Sequence, residues 1–245
     1  MQQHINTFTN ETIIYDDQYH AYYTTSGRKL LGASSYAKRY QKPFPKADII
    51  NRLTTSWDMP ATDIDQMWKL NGEVSNSYGT AVHAAMELWF RYRDKGSEIA
   101  KLRSDDYNYA LPKNVYLRDI VLDFVDTFGH LEGETEATLS NTRKGMAGRT
   151  DFIHILDDTT CRVADFKTNN EMKDDKLIVY QHQLSFYADM LTEAGWTVEG
   201  LDIYYHSGNK WERIPLEVLP VELPETRVER LSTVAPRPPA FRGVY

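Results

Sequence analysis

The spacing of apolar residues along the chain changes from helical to strand-like near residue 134. Ahead of that point, apolar residues recur three and four positions apart in YGTAVHAAMELWFRYRDKG (residues 78–96) and in NVYLRDIVLDFVDTFG (residues 114–129). This spacing predicts two amphipathic helices.

Glycine and proline indicate where the helical segments end. Residues 46–72 show mixed helical periodicity, which Pro60 interrupts and which Asn71-Gly72 would terminate. Gly96 is placed to end the helix of residues 78–96. We therefore expect separate helices on either side of these breaks.

Beyond residue 134 the pattern predicts strands. ETEATLSN, AGRTDFIHIL and TCRVADFK alternate or run apolar over strand-length pieces, and DDTT between the last two is typical of a hairpin turn. KLIVYQHQLSFYADMLTEAG has a helical leucine stripe that would end at Gly195, and LDIYYHSG and WERIPLEVL are predicted strands. The order predicts an α/β fold of mixed α+β character, with layers packed around a central sheet.

Composition is compatible with one folded unit. Of the 245 residues, 41% are hydrophobic, which is enough to build a substantial core. Cys161 is the sole cysteine, so the chain has no internal disulfide framework and cannot hold an iron–sulfur cluster on four thiolates. The first residues lack the basic start and apolar run of a signal peptide, and no segment approaches the roughly 18 apolar residues of a membrane span. We expect a cytoplasmic protein with no membrane partner.

The sequence shows no repeat and no clear domain boundary. We treat residues 1–245 as a single domain, in which residues 76–220 form the core. Residues 1–75 are expected to form a helical and basic elaboration that contacts the substrate. The proline-rich end, residues 234–245, is expected to be a surface tail.

Positive charge is concentrated in residues 27–52, although the formal net charge of the chain is −7. This window holds seven lysines and arginines against Asp48 alone, with aromatic residues and serines between the cations. Phosphates bind cations and hydroxyls, and unpaired bases stack on aromatic rings. A solvated charged face is the alternative, but the interleaving favours nucleic-acid binding. The residues predicted to contact nucleic acid are Arg28, Lys29, Ser34, Ser35, Tyr36, Lys38, Arg39 and Lys42, with Arg149 on a later strand.

Two carboxylates are predicted to meet where neighbouring strands end. Asp151 and Asp165 lie on the strands that flank the DDTT turn, and adjacent strands are about 4.8 Å apart. Close carboxylates repel unless a cation lies between them, and oxygen ligands suit Mg²⁺ or Mn²⁺. Lys167 shares a strand face with Asp165, whereas Phe166 points into the core and leaves its backbone carbonyl free to face the cation.

This combination of acids, lysine and metal can hydrolyse a phosphodiester. The metal polarises a phosphoryl oxygen and lowers the pKa of a bound water, while Lys167 orients that water or offsets developing charge. The alternative is a surface ion pair between Asp165 and Lys167 on an edge strand.

A histidine on the first long helix favours the catalytic interpretation. Gly79 lies one turn before His83 and permits close backbone approach, and a neutral imidazole is a competent metal ligand. Glu87, one turn later, could hold that imidazole. The alternatives are an ordinary surface or core histidine and a helical surface pair for Glu87.

Further candidates lie on the later helix and on the strand of ETEATLSN. Tyr180, Gln183 and Tyr187 share one helix face, which could equally be the polar face of an amphipathic core helix. Glu136 is an additional acid near the predicted site, and its alternative is an exposed strand residue.

Taken in order, GTAVHAAME, EATL, GRTD, DFK and QLSFY resemble the motifs of the PD-(D/E)xK nuclease superfamily. The pattern is similar to that of its RecB-type exonuclease branch: a helical G-x-x-x-H, strands with G-x-x-D and D/E-x-K, and a helical Q-x-x-x-Y. These motifs fall within residues 79–191. RKLLGASSYAKRY is also similar to the N-terminal DNA-contacting segment of phage and mitochondrial single-strand exonucleases of that branch. Thr150 stands where the superfamily name has proline, and the single cysteine excludes relatives that carry an iron–sulfur cluster.

The resemblance implies a central mixed sheet flanked by helices, with a bound Mg²⁺ for which Mn²⁺ would substitute. The implied metal ligands are His83, Asp151, Asp165 and the carbonyl of Phe166. The implied catalytic residues are Asp151, Asp165, Lys167 and Glu136. The residues implied to contact DNA or order the site are Gln183, Tyr187, Glu87 and Tyr180.

We expect a Mg²⁺-dependent deoxyribonuclease, an exonuclease acting on single-stranded DNA or DNA ends in recombination, replication or repair, such as a phage encodes. Its expected partners are DNA and a single-strand-binding or recombination protein, in the cytoplasm of a bacterial or phage-infected cell. The alternatives are a structure-specific or sequence-specific endonuclease, an inactive DNA-binding accessory protein or inhibitor on the same scaffold, and a metal-dependent hydrolase of a small molecule. The sequence has no G-x-x-x-x-G-K-[ST] loop, so no ATP-driven helicase is expected.

Overall fold

The computed structural model describes four stretches of the chain: residues 1–102, 114–168, 171–208 and 210–223. Side chains are described outside residues 94–102. The predicted tail, residues 234–245, lies outside the described residues. Among the helices that are described, none combines the length and the apolar character needed to cross a membrane.

The first residues form a small antiparallel sheet, where a helical elaboration was predicted. Its strands, in spatial order, are β1 (Gln2–Ile5), β2 (Thr12–Asp16) and β3 (Ala21–Thr24). The sequences TIIYD and AYYT are rich in β-branched and aromatic residues, which favour strands. The prediction of a helical segment over residues 1–75 is therefore wrong for this part, because such short strands carry little periodic signal.

Helices follow this sheet, and the longest of them is longer than predicted. They are α1 (Ala33–Ala37) with a 3-10 turn at Lys38–Tyr40, α2 (Lys46–Trp57) and α3 (Ala61–Leu102). The break at Pro60 is present, but the helix ends predicted at Asn71-Gly72 and at Gly96 are wrong. A glycine costs about 1 kcal/mol in a helix interior, which strong helix formers on both sides outweigh.

The second half of the chain follows the predicted order of elements. After α4 (Val115–Phe128), the chain completes a mixed sheet that also includes one short earlier strand. The strands between residues 133 and 167 were predicted from their alternation of apolar and polar residues. That sheet contains β4 (Leu31–Gly32), β5 (Gly133–Asn141), β6 (Met146–Ile155), β7 (Thr160–Lys167), β8 (Thr197–His206) and β9 (Trp211–Leu216). The spatial order is β4-β6-β7-β8-β9 with β5 paired to β6, and the β4–β6 and β7–β8 pairs are parallel.

Helices cover both faces of this sheet. On one face, α3 and α4 bury a cluster that includes Met86, Phe124 and Phe166. On the other face, α1 and α5 (Asp174–Glu193) bury a cluster that includes Tyr36 and Phe186. A mixed sheet between two helical layers confirms the predicted α/β fold class.

Strands β4 and β7 pair with different parts of the same edge of β6, with a gap between them. Strand β5 covers the opposite edge of β6 over almost its whole length. On the shared edge, β4 pairs with Met146 and Ala147, whereas β7 pairs with residues 152–155. Residues 148–151, which we call the edge opening, therefore have no strand partner on that side. The opening places backbone and side-chain groups of β6 beside the end of β7.

Candidate active site and metal centre

Three acidic side chains converge at the edge opening. The β5–β6 register pairs Thr135 with Phe152 and Ala137 with Thr150, so Glu136 lies beside Asp151 at an interruption of the pairing. Pairing of β6 with β7 stops one position before Asp151 would meet Asp165. The prediction that both aspartates lie at strand ends holds for Asp165 alone, because Asp151 lies in the interior of β6, where its pairing with β7 ends.

The carboxylate of Asp151 replaces the missing strand pairing. One of its oxygens lies 3.2 Å from Nδ1 of His83, which reaches the site from α3. The same oxygen accepts a hydrogen bond of 3.1 Å from the backbone N–H of Phe166 on β7. Asp151 therefore ties the helix and the two strands together at one point.

His83, Glu136 and Asp151 form a group that can hold a metal ion. One ligand atom from each lies within 4.8 Å of the others. An imidazole nitrogen with two carboxylate oxygens suits Mn²⁺, and the carboxylates suit Mg²⁺, so a divalent ion fits this donor set. Glu136 reaches the group from a left-handed backbone conformation with φ of 50°, which is uncommon for a residue other than glycine.

Asp165 and the carbonyl of Phe166, the other two predicted ligands, lie beside Lys167. The Lys167 ammonium forms an ion pair with Asp165 and lies 3.3 Å from the Phe166 carbonyl oxygen. It also lies 4.9 Å from the centre of the Tyr180 ring, within range of a cation–π interaction. The site therefore contains a candidate metal-binding part around Asp151 and a cationic part around Lys167. Both parts are bridged by the backbone of Phe166.

Burial and charge separate the pKa values of the two aspartates. Burial raises the pKa of Asp165 to about 7, against the opposing effect of Lys167. Burial also acts on Asp151, but the hydrogen bond from His83 and the charges of His83 and Lys167 outweigh it and hold the pKa of Asp151 well below its usual range. Burial opposes protonation of His83, yet its hydrogen bond to Asp151 raises the pKa of His83 overall. Two carboxyls with such different affinities for protons are typical of a functional site.

Helix α5 orders the edge opening. The Tyr187 hydroxyl donates a hydrogen bond of 2.7 Å to the backbone carbonyl of Arg149, which has no strand partner there. A Cβ atom at Gly148 would lie 2.6 Å from Cε1 of Tyr187, so the ring packs directly on the backbone. Tyr187 is buried, and its hydroxyl is bonded to the backbone of β6 while the residue also lines the cavity. Gln183, one turn earlier, lines the cavity over the site.

Glu87 was predicted to hold the imidazole of His83, but its partner in the structure is another residue. It forms an ion pair with Arg91, four residues later on α3. This is the helical surface pair that stood as the alternative for Glu87.

A cavity of about 580 Å³ opens over the site, and it takes in part of the predicted basic surface. Ser34, Ser35, Lys38 and Arg149 line it, together with His83, Glu136, Asp151, Asp165 and Lys167. Arg149 also forms an ion pair of 2.6 Å with Glu136. Cations and hydroxyls therefore face the same volume as the candidate metal ligands.

Other members of the predicted DNA-contacting set lie elsewhere. Tyr36 is fully buried in the core, so the prediction that it contacts DNA is wrong: its helical neighbours carry the polar face and Tyr36 the apolar one. Arg28 donates to the carbonyl of Thr142, and Arg39 donates to the carbonyl of Glu222. Lys29 and Lys42 are exposed outside the lining of this cavity.

One wall of the cavity was not predicted from the sequence. This wall comes from the N-terminal sheet and contains His4, Tyr15, Tyr19, His20 and Tyr22. The signal available in the sequence was the density of aromatic residues in IIYDDQYHAYY, which carries no periodicity long enough to identify a sheet.

Comparisons with known proteins identify a family for this chain. A family model described as the PD-(D/E)XK nuclease superfamily matches residues 61–234. A solved structure described as "Crystal structure of SSO0001" has 20% sequence identity, and the match covers 62% of this chain and 71% of that chain with a TM-score of 0.28. At that TM-score the similarity supports no statement about the site. A comparison with curated proteins finds no match.

Proposed function

Because the chain belongs to the PD-(D/E)XK nuclease superfamily, whose members are metal-dependent nucleases, we propose that it hydrolyses DNA as an exonuclease of the RecB type. We propose single strands or DNA ends as its substrate, with Mg²⁺ as its ion and Mn²⁺ as a substitute. Recombination, replication or repair, alongside a single-strand-binding or recombination protein, is the process that such an activity would serve.

One observation carries the proposal: the candidate metal ligands, a half-buried lysine, and cations and hydroxyls suited to phosphate all line one cavity. Its volume of about 580 Å³ is in the range of sites that enclose a small ligand, which is also the scale of a nucleotide. An inactive descendant has no need to keep Asp151, Asp165, Lys167 and His83 together, so their grouping favours an enzyme over an accessory protein.

The residues have distinct roles in this proposal. His83, Glu136 and Asp151 would hold the ion, with Asp165 as a further ligand once it is ionised. The ion would supply polarisation of the phosphoryl oxygen and a more acidic water. Lys167, held by Asp165 and the Phe166 carbonyl, is placed to offset charge that develops on the phosphate. Lys38 and Arg149 would attract the neighbouring phosphates.

Digestion of end-labelled oligonucleotides in Mg²⁺ tests the proposal. Wild type should shorten linear single strands, whereas Asp165→Ala and Lys167→Ala should be inactive but folded, and Asp157→Ala, in the exposed hairpin turn, should be fully active. Full activity of either site variant would overturn the assignment. Cleavage of covalently closed single-stranded circles would identify an endonuclease, and DNA binding without cleavage in Mg²⁺ or Mn²⁺ would identify an accessory protein.

A further inference from the structure

One face of the N-terminal sheet is aromatic, and it faces the cavity. The register pairs Tyr15 of β2 with Tyr22 of β3, so both rings project to the same side of the sheet. His4 on β1 and the turn residues Tyr19 and His20 join them in the cavity lining. We call these five side chains the aromatic wall. None of these five residues is a candidate catalytic or metal-binding residue.

Four rings of the aromatic wall, those of His4, Tyr15, His20 and Tyr22, contact one another through Tyr15. Tyr15 and Tyr22 have ring centres 4.8 Å apart, and His4 meets Tyr15 edge-on at 5.8 Å. The Tyr15 hydroxyl and Nδ1 of His20 are 2.9 Å apart, within hydrogen-bond distance. These contacts hold the rings in place without ligand, and a pre-formed surface loses little entropy on binding.

The turn between β2 and β3 presents its aromatic residues to solvent. Asp16 accepts hydrogen bonds from the backbone N–H groups of Gln18 and Tyr19, at 3.0 and 3.3 Å. His20 has a φ of 46°, which is a left-handed conformation. Tyr19 is 69% exposed, although removing a tyrosine ring from water is favourable. The turn thus holds an exposed ring in the lining of the cavity.

The aromatic wall shares its cavity with Lys167, Asp165 and the cations Lys38 and Arg149. If the phosphates of a nucleic-acid strand approach those cations, the attached bases lie within the same cavity. A base in a duplex is already stacked on both faces, whereas an unpaired base has a free π-face for an aromatic ring. The chemistry of this wall therefore fits a strand without a partner.

We propose that the aromatic wall is a nucleobase-binding site that stacks unpaired bases of the strand whose phosphate lies at the candidate metal centre. This inference rests on the proposed function and deepens it, because it makes the N-terminal sheet the element that selects single strands. Stacking is tolerant of sequence, so the wall distinguishes stacked from unstacked bases and not one base from another.

Binding of two labelled probes, measured by fluorescence anisotropy in EDTA so that no metal-dependent cleavage proceeds, tests the inference. One probe is an oligothymidylate and the other is an abasic oligomer of equal length, which keeps the phosphates but has no bases. Wild type should bind the oligothymidylate at least about tenfold more tightly, and Tyr19→Ser and Tyr15→Leu should each lose most of this preference. Tyr116→Ser on α4, a tyrosine 78% exposed outside the cavity lining, is the matched control and should keep it.

The outcomes separate this inference from the proposed function. Equal affinity of wild type for both probes, or an unchanged preference in Tyr19→Ser, would overturn the aromatic wall even if the protein cleaves DNA. A preference that depends on Tyr19 in a protein that cleaves nothing would support the wall and overturn the nuclease proposal. Because Tyr19 is exposed in a turn, its substitution does not threaten the fold, and Tyr15→Leu is interpreted only if its far-ultraviolet spectrum matches wild type.

Discussion

Asp165 should make the metal-free protein less stable as pH rises. The residue is 5% exposed, and burial raises the pKa of its carboxyl from an ordinary 3.8 to about 7. A carboxyl with a raised pKa in the folded state favours folding when protonated. Its contribution to stability is therefore fully present below about pH 4 and is lost as pH rises through about 7. Asp165→Asn, which cannot ionise, should remove this dependence.

The size of the effect follows from the two pKa values. Between pH 5 and pH 8, the unfolded carboxyl is ionised throughout, while the folded one becomes ionised only near the upper end. Integration over this range gives a loss of about 2 to 3 kcal/mol in the free energy of unfolding. Asp151 adds nothing here, because its lowered pKa places its titration below the range. His83, with a raised pKa, changes stability in the same direction as Asp165. The charge of Asp165 is one of the causes of that raised pKa, so Asp165→Asn also reduces the contribution of His83.

Urea denaturation in EDTA at pH 5, 6.5 and 8 measures the effect as the difference between wild type and Asp165→Asn. The variant should gain about 2 to 3 kcal/mol relative to wild type across this range, whatever its absolute stability. Asp157→Asn is the control: hydrogen bonds from Thr159 lower the pKa of that exposed carboxyl, so it titrates below the range. Saturating Mg²⁺ should abolish the difference in slope, because an ion stabilises the ionised form. A difference that stays flat from pH 5 to pH 8 would refute the raised pKa of Asp165.

Three further substitutions test other parts of the structure. Lys167→Met should lower the rate of single-turnover cleavage by about 10²- to 10³-fold. The rise in Tm on adding Mg²⁺ should stay unchanged, because in this proposal the lysine offsets charge on the phosphate and does not bind the ion. Glu136→Gln should weaken Mn²⁺ binding in calorimetry by about tenfold or more, whereas the exposed Glu134→Gln on the same strand should not. Gly72→Ala should raise the free energy of unfolding by about 0.5 to 1 kcal/mol, because an added Cβ meets nothing within 4 Å; a loss of stability would contradict the continuous α3.

The strands that carry the site could be predicted because their signals are local. The turn DDTT lies between two alternating segments, and a period of two fixes Asp165 and Lys167 on one face wherever the strand packs. The helix α5 was equally visible, since its leucine stripe ends at Gly195, which has the positive φ of a helix stop. These features depend on neighbours in sequence, and the structure reproduces them.

The rest of the site depends on contacts between distant segments. The edge opening exists because β4 supplies only Leu31 and Gly32 to the sheet, a pairing too short to leave a pattern in the sequence. Glu136 reaches His83 through strand register and an unusual backbone conformation, neither of which alternation encodes. Tyr36 appeared among cations and was assigned to DNA, but helical geometry turns it into the core.

The backbone conformation of Glu136 has a consequence for how this chain could change. At a φ of 50°, a glutamate is held against a preference of about 1 kcal/mol or more, which a glycine would not feel. Glycine at this position would relieve the backbone and remove a candidate metal ligand at once. Selection for stability alone would thus favour loss of the carboxylate. If Glu136 binds the ion as proposed, the fold and the chemistry make opposite demands on one residue of β5.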